Sequence, residues 1–217
     1  MSWLRAAFEL LLPPVCAGCG RSSLELPLCS GCRLPAAEGL GPAPPPLRAW
    51  CAATLHEGAG ADWVRRFKYP ARGIAGLDAA AEAVALALVR ELVPRVPGGA
   101  PDLVVPVPLH PRRLRERGFS PAALLARTLA REARVPFSPA LLTRVRDTPS
   151  QTELSRAARR RNVAGAFAPC SAAPVRLWLV DDVATTGSTL TEAARALKRA
   201  GAREITGVCL AWRPLLD

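Results

Sequence analysis

Two adjacent carboxylates, Asp181 and Asp182, follow the apolar run Leu177 to Val180 and precede a cluster of hydroxyls and glycine, Thr185-Thr186-Gly187-Ser188-Thr189. An apolar run of that length ending in charge reads as a short buried strand. Apolar positions then recur at helical spacing, Leu190, Ala193, Ala194 and Leu197, so the cluster occupies a tight loop and the N-terminus of a helix. Such a loop suits phosphate. Gly187 lets the backbone curl close to a ligand, the hydroxyls donate hydrogen bonds, and the first helical amides are unpaired and carry partial positive charge. Thr189 and Glu192 have the spacing of a capping box, which would fix the helix start. The carboxylates beside the loop can accept hydrogen bonds from two neighbouring hydroxyls of a sugar, with magnesium nearby, and together these features suggest a phosphorylated ribose. The alternative is an ordinary strand-to-helix turn with Asp and Thr as capping residues. A Walker loop and a dinucleotide loop are excluded, because neither Gly-Lys-Ser/Thr nor Gly-x-Gly-x-x-Gly occurs here.

Val180 to Leu190 resembles the phosphoribosyl-diphosphate signature of type I phosphoribosyltransferases, in which two acidic residues precede a Thr-Thr-Gly loop. The resemblance implies that Asp181 and Asp182 hold the ribose 2′ and 3′ hydroxyls. It assigns the 5′-phosphate to Thr185, Thr186, Gly187, Ser188 and Thr189, with Mg2+ accompanying phosphoribosyl diphosphate.

A second chemical cluster lies near the start of the chain. Cys16-Ala-Gly-Cys19 and Cys29-Ser-Gly-Cys32 are two Cys-x-x-Cys knuckles, each with a glycine in its turn, and four such thiolates can bind one tetrahedral Zn2+. Disulfides are the alternative, and they fit poorly in a reducing cytoplasm. A closed four-thiolate site would stabilise the fold and do no catalysis. Cys51, Cys170 and Cys209 stand singly in apolar surroundings and read as small core residues.

The remaining elements must position these groups. A chain of 217 residues can bury one good core and carry a small module besides. Its net charge of +11 suits a polyanionic partner, phosphorylated ligand or DNA alike. No stretch approaches the ~20 apolar residues of a membrane span. Glu9 interrupts the short apolar run at the N-terminus and Pro13-Pro14 ends it, which argues against a signal peptide and for a cytoplasmic protein. Trp3, Leu4, Ala7, Phe8 and Leu11 share one helical face that would pack on the cysteine module. Leu34 to Leu47, with Pro44-Pro45-Pro46 at its centre, reads as a linker. Strands are expected at Trp50–Leu55, Asp102–Val107, Leu141–Val145, Val163–Ala168 and Glu204–Trp212. Helices are expected at Asp62–Lys68, Ile74–Leu92 and Pro121–Ala133, the last capped by Ser120.

Two basic features adjoin this frame. Lys68 is one of only two lysines, a solvated side chain or a ligand contact. Arg112, Arg113, Arg115 and Arg117 form either a solvated basic turn or a clamp for diphosphate oxygens. The polar stretch Arg146 to Asn162 has the composition of a lid. In type I phosphoribosyltransferases a mobile loop at this place closes over the diphosphate, and the resemblance gives Arg156 and Arg159 as the cations that stabilise charge on the leaving group.

The cysteine module, Phe67-Lys68-Tyr69, Val105-Pro106-Val107-Pro108-Leu109-His110, Arg117-Gly118-Phe119, Gln151 with Arg159 and Asn162, Gly165 to Phe167 and the Asp-Asp loop together resemble the ComF family over almost the whole chain. Ser120 departs from that pattern, which usually has Asn after Arg-Gly-Phe. The resemblance implies an α/β fold of type I phosphoribosyltransferase kind. This is a mostly parallel twisted sheet with helices on both faces, over residues 50–217, joined through a linker at 36–49 to a zinc-ribbon-like module at 1–35. It also implies an association with competence, the uptake of single-stranded DNA, so that single-stranded DNA and the uptake machinery are expected partners. Two functions follow: a protein that binds phosphoribosyl diphosphate and serves DNA uptake, or an active phosphoribosyltransferase acting on an unidentified acceptor. Lys68 and Arg117 join the loop as expected ligand contacts.

Overall fold

The computed structural model of the chain describes residues 16, 21–22, 29–30, 37, 40–69, 86, 88–90, 92–148 and 156–214. The expected helical face Trp3 to Leu11, most of the expected Ile74–Leu92 helix and residues 149–155 lie outside them; residues 86, 88–90 and 92 are helical.

Four strands make one parallel sheet: β1 (Ala49–Leu55), β2 (Leu103–Pro106), β5 (Arg176–Ala184) and β6 (Glu204–Trp212), in the order β1-β6-β5-β2. The helices are α1 (Gly58–Lys68), α2 (Pro111–Arg117), α3 (Pro121–Ala133), α4 (Arg156–Val163) and α5 (Ser188–Arg199). A separate antiparallel ribbon, β3 (Leu142–Arg144) with β4 (Phe167–Pro169), completes the described elements. Central parallel strands are covered on both faces, and β5 shows it. Trp178 and Val180 join Val64 and Phe67 of α1 and Leu124, Leu125 and Leu129 of α3 in one core. Leu177 and Leu179 meet Leu190, Ala193, Ala194 and Leu197 of α5 in the other. The layered α/β architecture with helices on both faces is thus the one expected.

Local signals set several boundaries. Ser120 Oγ accepts from the Ala123 amide at 3.2 Å, and Pro121 opens α3 behind this cap. Residues Val163–Ala168 do not form the expected strand. Val163 ends α4, Gly165 turns the chain at φ 64°, and pairing begins only at Phe167, opposite Arg144. Cys170 also differs from expectation. It lies past the end of β4 on a ribbon at the margin of the domain and is exposed, whereas Cys209 is buried in β6 and Cys51 half-buried in β1.

Gly41 to Trp50 packs closely on the sheet. Trp50 Nε1 donates to the Gly41 carbonyl at 3.1 Å, and the Arg48 amide donates to Ile205 at 2.9 Å. Leu47 is buried in the core beside α5.

Candidate functional site

The acids stand within β5, not after it. β5 pairs with β2 only as far as Val180, opposite Pro106, but it continues against β6 to Ala184, opposite Trp212. The strand therefore outruns one neighbour, and Asp181 to Ala184 keep a partner on one edge while the other edge opens on a cavity of about 280 Å³. β2 ends at Pro106, and the last contact to β5 is the Val107 amide donating to the Val180 carbonyl at 2.7 Å. The chain beyond it, Val107 to Leu109, walls the cavity.

Each carboxylate is fixed by the chain itself: Asp181 Oδ1 accepts from the Asp182 amide at 2.8 Å and Asp182 Oδ1 from the Val183 amide at 2.7 Å. Lys68, the last residue of α1, places Nζ 3.3 Å from Asp182 Oδ2. Burial, and then the neighbouring Asp182 charge, push the Asp181 carboxyl up to about 8. Two acids and one lysine in a half-buried place leave a demand for further positive charge or for hydroxyl donors.

The loop expected to take phosphate follows directly. Gly187, at φ 70°, is the N-cap of α5. Thr186 Oγ1 lies 2.6 Å from Ser188 Oγ and accepts from the Ser188 amide at 3.3 Å, which ties the turn together. The expected capping box does not form, because the helix begins at Ser188 behind Gly187. The Glu192 carboxylate is used elsewhere: Oε1 accepts from the Gly165 amide at 2.9 Å and Oε2 from Arg195 at 3.1 Å, joining α5 to the turn before β4. Behind the loop stands the proline segment. A Cβ on Gly187 would lie 2.8 Å from Pro44 Cγ and 3.4 Å from the Trp50 ring, so glycine is required both by its backbone angle and by what backs it.

Of the residues expected to act together, Asp181, Asp182, Thr185, Gly187, Ser188, Thr189, Lys68 and Arg117 all line this one cavity, while Thr186 holds the turn. Arg117 lies over the Tyr69 ring at 5.1 Å and donates to its hydroxyl at 3.2 Å. Arg112 is turned away to Glu116 at 2.9 Å and Asp147 at 3.4 Å. Among the arginines of α2, only Arg113 and Arg117 reach the cavity. Arg156 opens α4, but its side chain and that of Arg159 lie outside the described residues, as do Cys19 and Cys32. Of the two knuckles, Cys16 and Cys29 are described, and the Cys29 amide donates to Cys16 Sγ at 3.3 Å, the kind of contact that supports a thiolate. Sequence reasoning missed His56, Arg213 and, most consequentially, Arg144, all of which line the cavity. Arginine within a strand carries no signal of its own, and its pairing with Phe167 is made only by the fold.

The fold and this strand-loop-helix define a phosphoribosyltransferase-like protein, and a family model described as phosphoribosyl transferase domain matches residues 114–214. Among similar proteins, the DNA utilization protein YhgH of Salmonella typhimurium is 34% identical over 206 residues, 90% of this chain and 89% of that one. Its counterpart of the same name in Escherichia coli strain K12 is 32% identical over 208 residues with the same coverage. Competence protein F of Haemophilus influenzae is 38% identical over 109 residues, 48% of each chain. The chain belongs to the ComF family. Among the described residues no helix is long and apolar enough to cross a membrane.

Proposed function

We propose that this protein binds phosphoribosyl diphosphate at the end of β5 and serves the handling of incoming single-stranded DNA. The observation that carries the reading is the adjacency of Asp181 and Asp182 to the Gly187–Thr189 turn on one cavity wall, paired acceptors for ribose hydroxyls beside helix amides for a 5′-phosphate. The names of relatives, DNA utilization protein and competence protein F, support the DNA role, and a net charge of +11 suits a polyanion.

Mg2+ fits this place. Asp181, pushed toward its neutral form by burial and by Asp182, would ionise more readily beside a divalent cation. The ion would supply charge neutralisation for the diphosphate oxygens, while the acids orient the ribose and Lys68 holds Asp182 in place. Four thiolates, Cys16, Cys19, Cys29 and Cys32, would hold a structural Zn2+, supported by the Cys29 amide on Cys16 Sγ.

A second reading is favoured by the match to the phosphoribosyl transferase domain. In it the protein is an enzyme. A nucleophile's lone pair forms a bond to ribose C1 and the C1–O bond breaks. Its electron pair leaves with diphosphate, and the nucleophile's proton passes to solvent.

Thermal melting tests the common premise. Ligand at 100 times its Kd, with Mg2+, stabilises by about 2.7 kcal/mol, a shift on the order of 5 to 10 °C for a chain of this size. Asp181→Asn combined with Asp182→Asn should remove most of the shift. No shift in the wild type at any concentration refutes the proposal. Diphosphate release in the presence of a nucleobase would select the enzyme, and salt-sensitive binding of single-stranded DNA without turnover the uptake role.

A further inference from the structure

The chain sets two guanidinium groups over aromatic rings, and the two rings have opposite surroundings. Arg144 lies 5.5 Å from the ring centre of Phe167, a residue only 3% exposed. That guanidinium is itself buried, its Nε has no hydrogen-bond partner, and the contact belongs to the packing of the β3–β4 ribbon. Arg117 lies 5.1 Å over the ring of Tyr69 and donates to its hydroxyl at 3.2 Å, yet Tyr69 is 65% exposed. It is the most exposed large hydrophobic side chain among the described residues and the single tyrosine of the chain.

Local structure accounts for this placement. Phe67, Lys68 and Tyr69 close α1 in three directions: Phe67 enters the core at 2% exposure, Lys68 places Nζ 3.3 Å from Asp182 Oδ2, and Tyr69 is left at the surface. The Tyr69 amide donates to the Arg65 carbonyl at 2.9 Å, which fixes the residue as the cap of the helix. Its Cα follows that of Lys68 by about 3.8 Å. Arg117 approaches from the last turn of α2, which Gly118 ends at φ 83°, and it lines the cavity as Lys68 does. Tyr69 therefore stands at the rim of the cavity, held at its backbone and at its hydroxyl.

An exposed ring gains little from the hydrophobic effect, and fixing it costs side-chain entropy. A cation over a ring at the surface returns only part of that cost. What the arrangement supplies is a flat apolar face held still beside positive charge. Such a face matches an unpaired nucleobase, which stacks on tyrosine while the phosphate it carries is drawn to the cation. A base stacked within a duplex has no free face to offer. An acidic peptide would answer the charge but not the ring.

We infer that Tyr69, held by Arg117, is a stacking platform for an unpaired nucleobase at the rim of the cavity. The inference rests on the DNA-handling part of the proposed function and adds to it a place where bases, and not phosphates, are gripped. The platform is separate from Asp181, Asp182 and the Gly187–Thr189 turn, which are proposed for sugar and phosphate. Stacking of this kind tolerates any base.

Fluorescence polarisation with end-labelled strands tests it, using oligo(dT) and an abasic strand of the same length, which keeps the phosphates and lacks the bases. Wild-type protein should bind oligo(dT) more tightly. Tyr69→Leu keeps an apolar side chain at this exposed position and removes the ring; it should weaken oligo(dT) about tenfold and the abasic strand less than about twofold. Tyr69→Phe keeps the ring and should stay within about twofold of wild type on both strands. The salt dependence of oligo(dT) binding should be the same in wild type and Tyr69→Leu, since no phosphate contact is lost. Thymidine 5′-monophosphate identifies the source of the base: a Tyr69-dependent affinity equal to that of oligo(dT) makes the occupant a free nucleotide, and a much weaker one makes it a strand. If the wild type binds the two strands equally, or if Tyr69→Leu leaves oligo(dT) affinity unchanged, the inference is overturned while DNA binding stands. Equal loss of both strands in Tyr69→Leu would mark Tyr69 as a support for Arg117 and overturn it too. Wild-type protein that binds neither strand nor the mononucleotide refutes the DNA-handling reading together with the platform.

Discussion

Replacing Asp181 by Asn should make the ligand-free protein more stable, although the same change removes a residue from the proposed site. The folded state holds the Asp181 proton more tightly than the unfolded chain does, because burial and Asp182 both penalise the carboxylate. The penalty is therefore absent at low pH, begins near the ordinary carboxyl value of 3.8, and is complete above about 8. Each pH unit in that window is worth about 1.4 kcal/mol, and roughly three are crossed by pH 7, which sets a ceiling on the order of 4 kcal/mol. Asp181 is only part-buried, so solvent screening at the cavity mouth reduces this, and about 2 kcal/mol is expected, or roughly 4 to 8 °C in Tm. Asn keeps an Oδ1 acceptor for the Asp182 amide, so the local turn survives. The assay is melting of both proteins in chelator, without ligand, from pH 4 to pH 8. The gap should be small at pH 4 and widen with pH. A variant that melts below the wild type at pH 8, or a gap independent of pH, would refute the reasoning.

Gly187→Ala must accept φ 70° and displace the Pro44 ring, at a cost of about 1 to 3 kcal/mol; chemical denaturation should show it, together with loss of the ligand-induced melting shift. Glu192→Ala removes the acceptor of the Gly165 amide, which ties α5 to the turn before β4, and should cost on the order of 1 kcal/mol in urea. Metal analysis of anaerobically purified protein should find about one zinc per chain, lost when Cys16→Ser and Cys29→Ser are combined; metal-free protein would refute the zinc proposal.

The strand-loop-helix of the site was legible because its signals are local: an apolar run, two acids, a glycine, and apolar residues at helical spacing. The Ser120 cap and Pro121 were legible for the same reason. What escaped depends on partners distant in sequence. That β5 runs on through Asp181 to Ala184 is decided by β6, which keeps pairing with it after β2 has stopped. Glu192 carries the spacing of a cap, but a glycine turn 27 residues away offers its amide and claims the carboxylate. Arg144 reads as any strand-margin arginine until burial shows what it lacks.

The backing of Gly187 by Pro44 and Trp50 also limits how this protein can be cut or grafted. The stretch matched by the domain model, 114–214, contains the Thr185–Thr189 loop but neither of the residues behind it. A fragment trimmed to that stretch would also lose β1, baring one edge of β6 along most of its length, from Thr206 to Trp212. Such an edge is an invitation to pair with other chains. The smallest autonomous unit therefore reaches back at least to Gly41, and the Gly187 turn transplanted into another scaffold needs a proline and an indole transplanted with it.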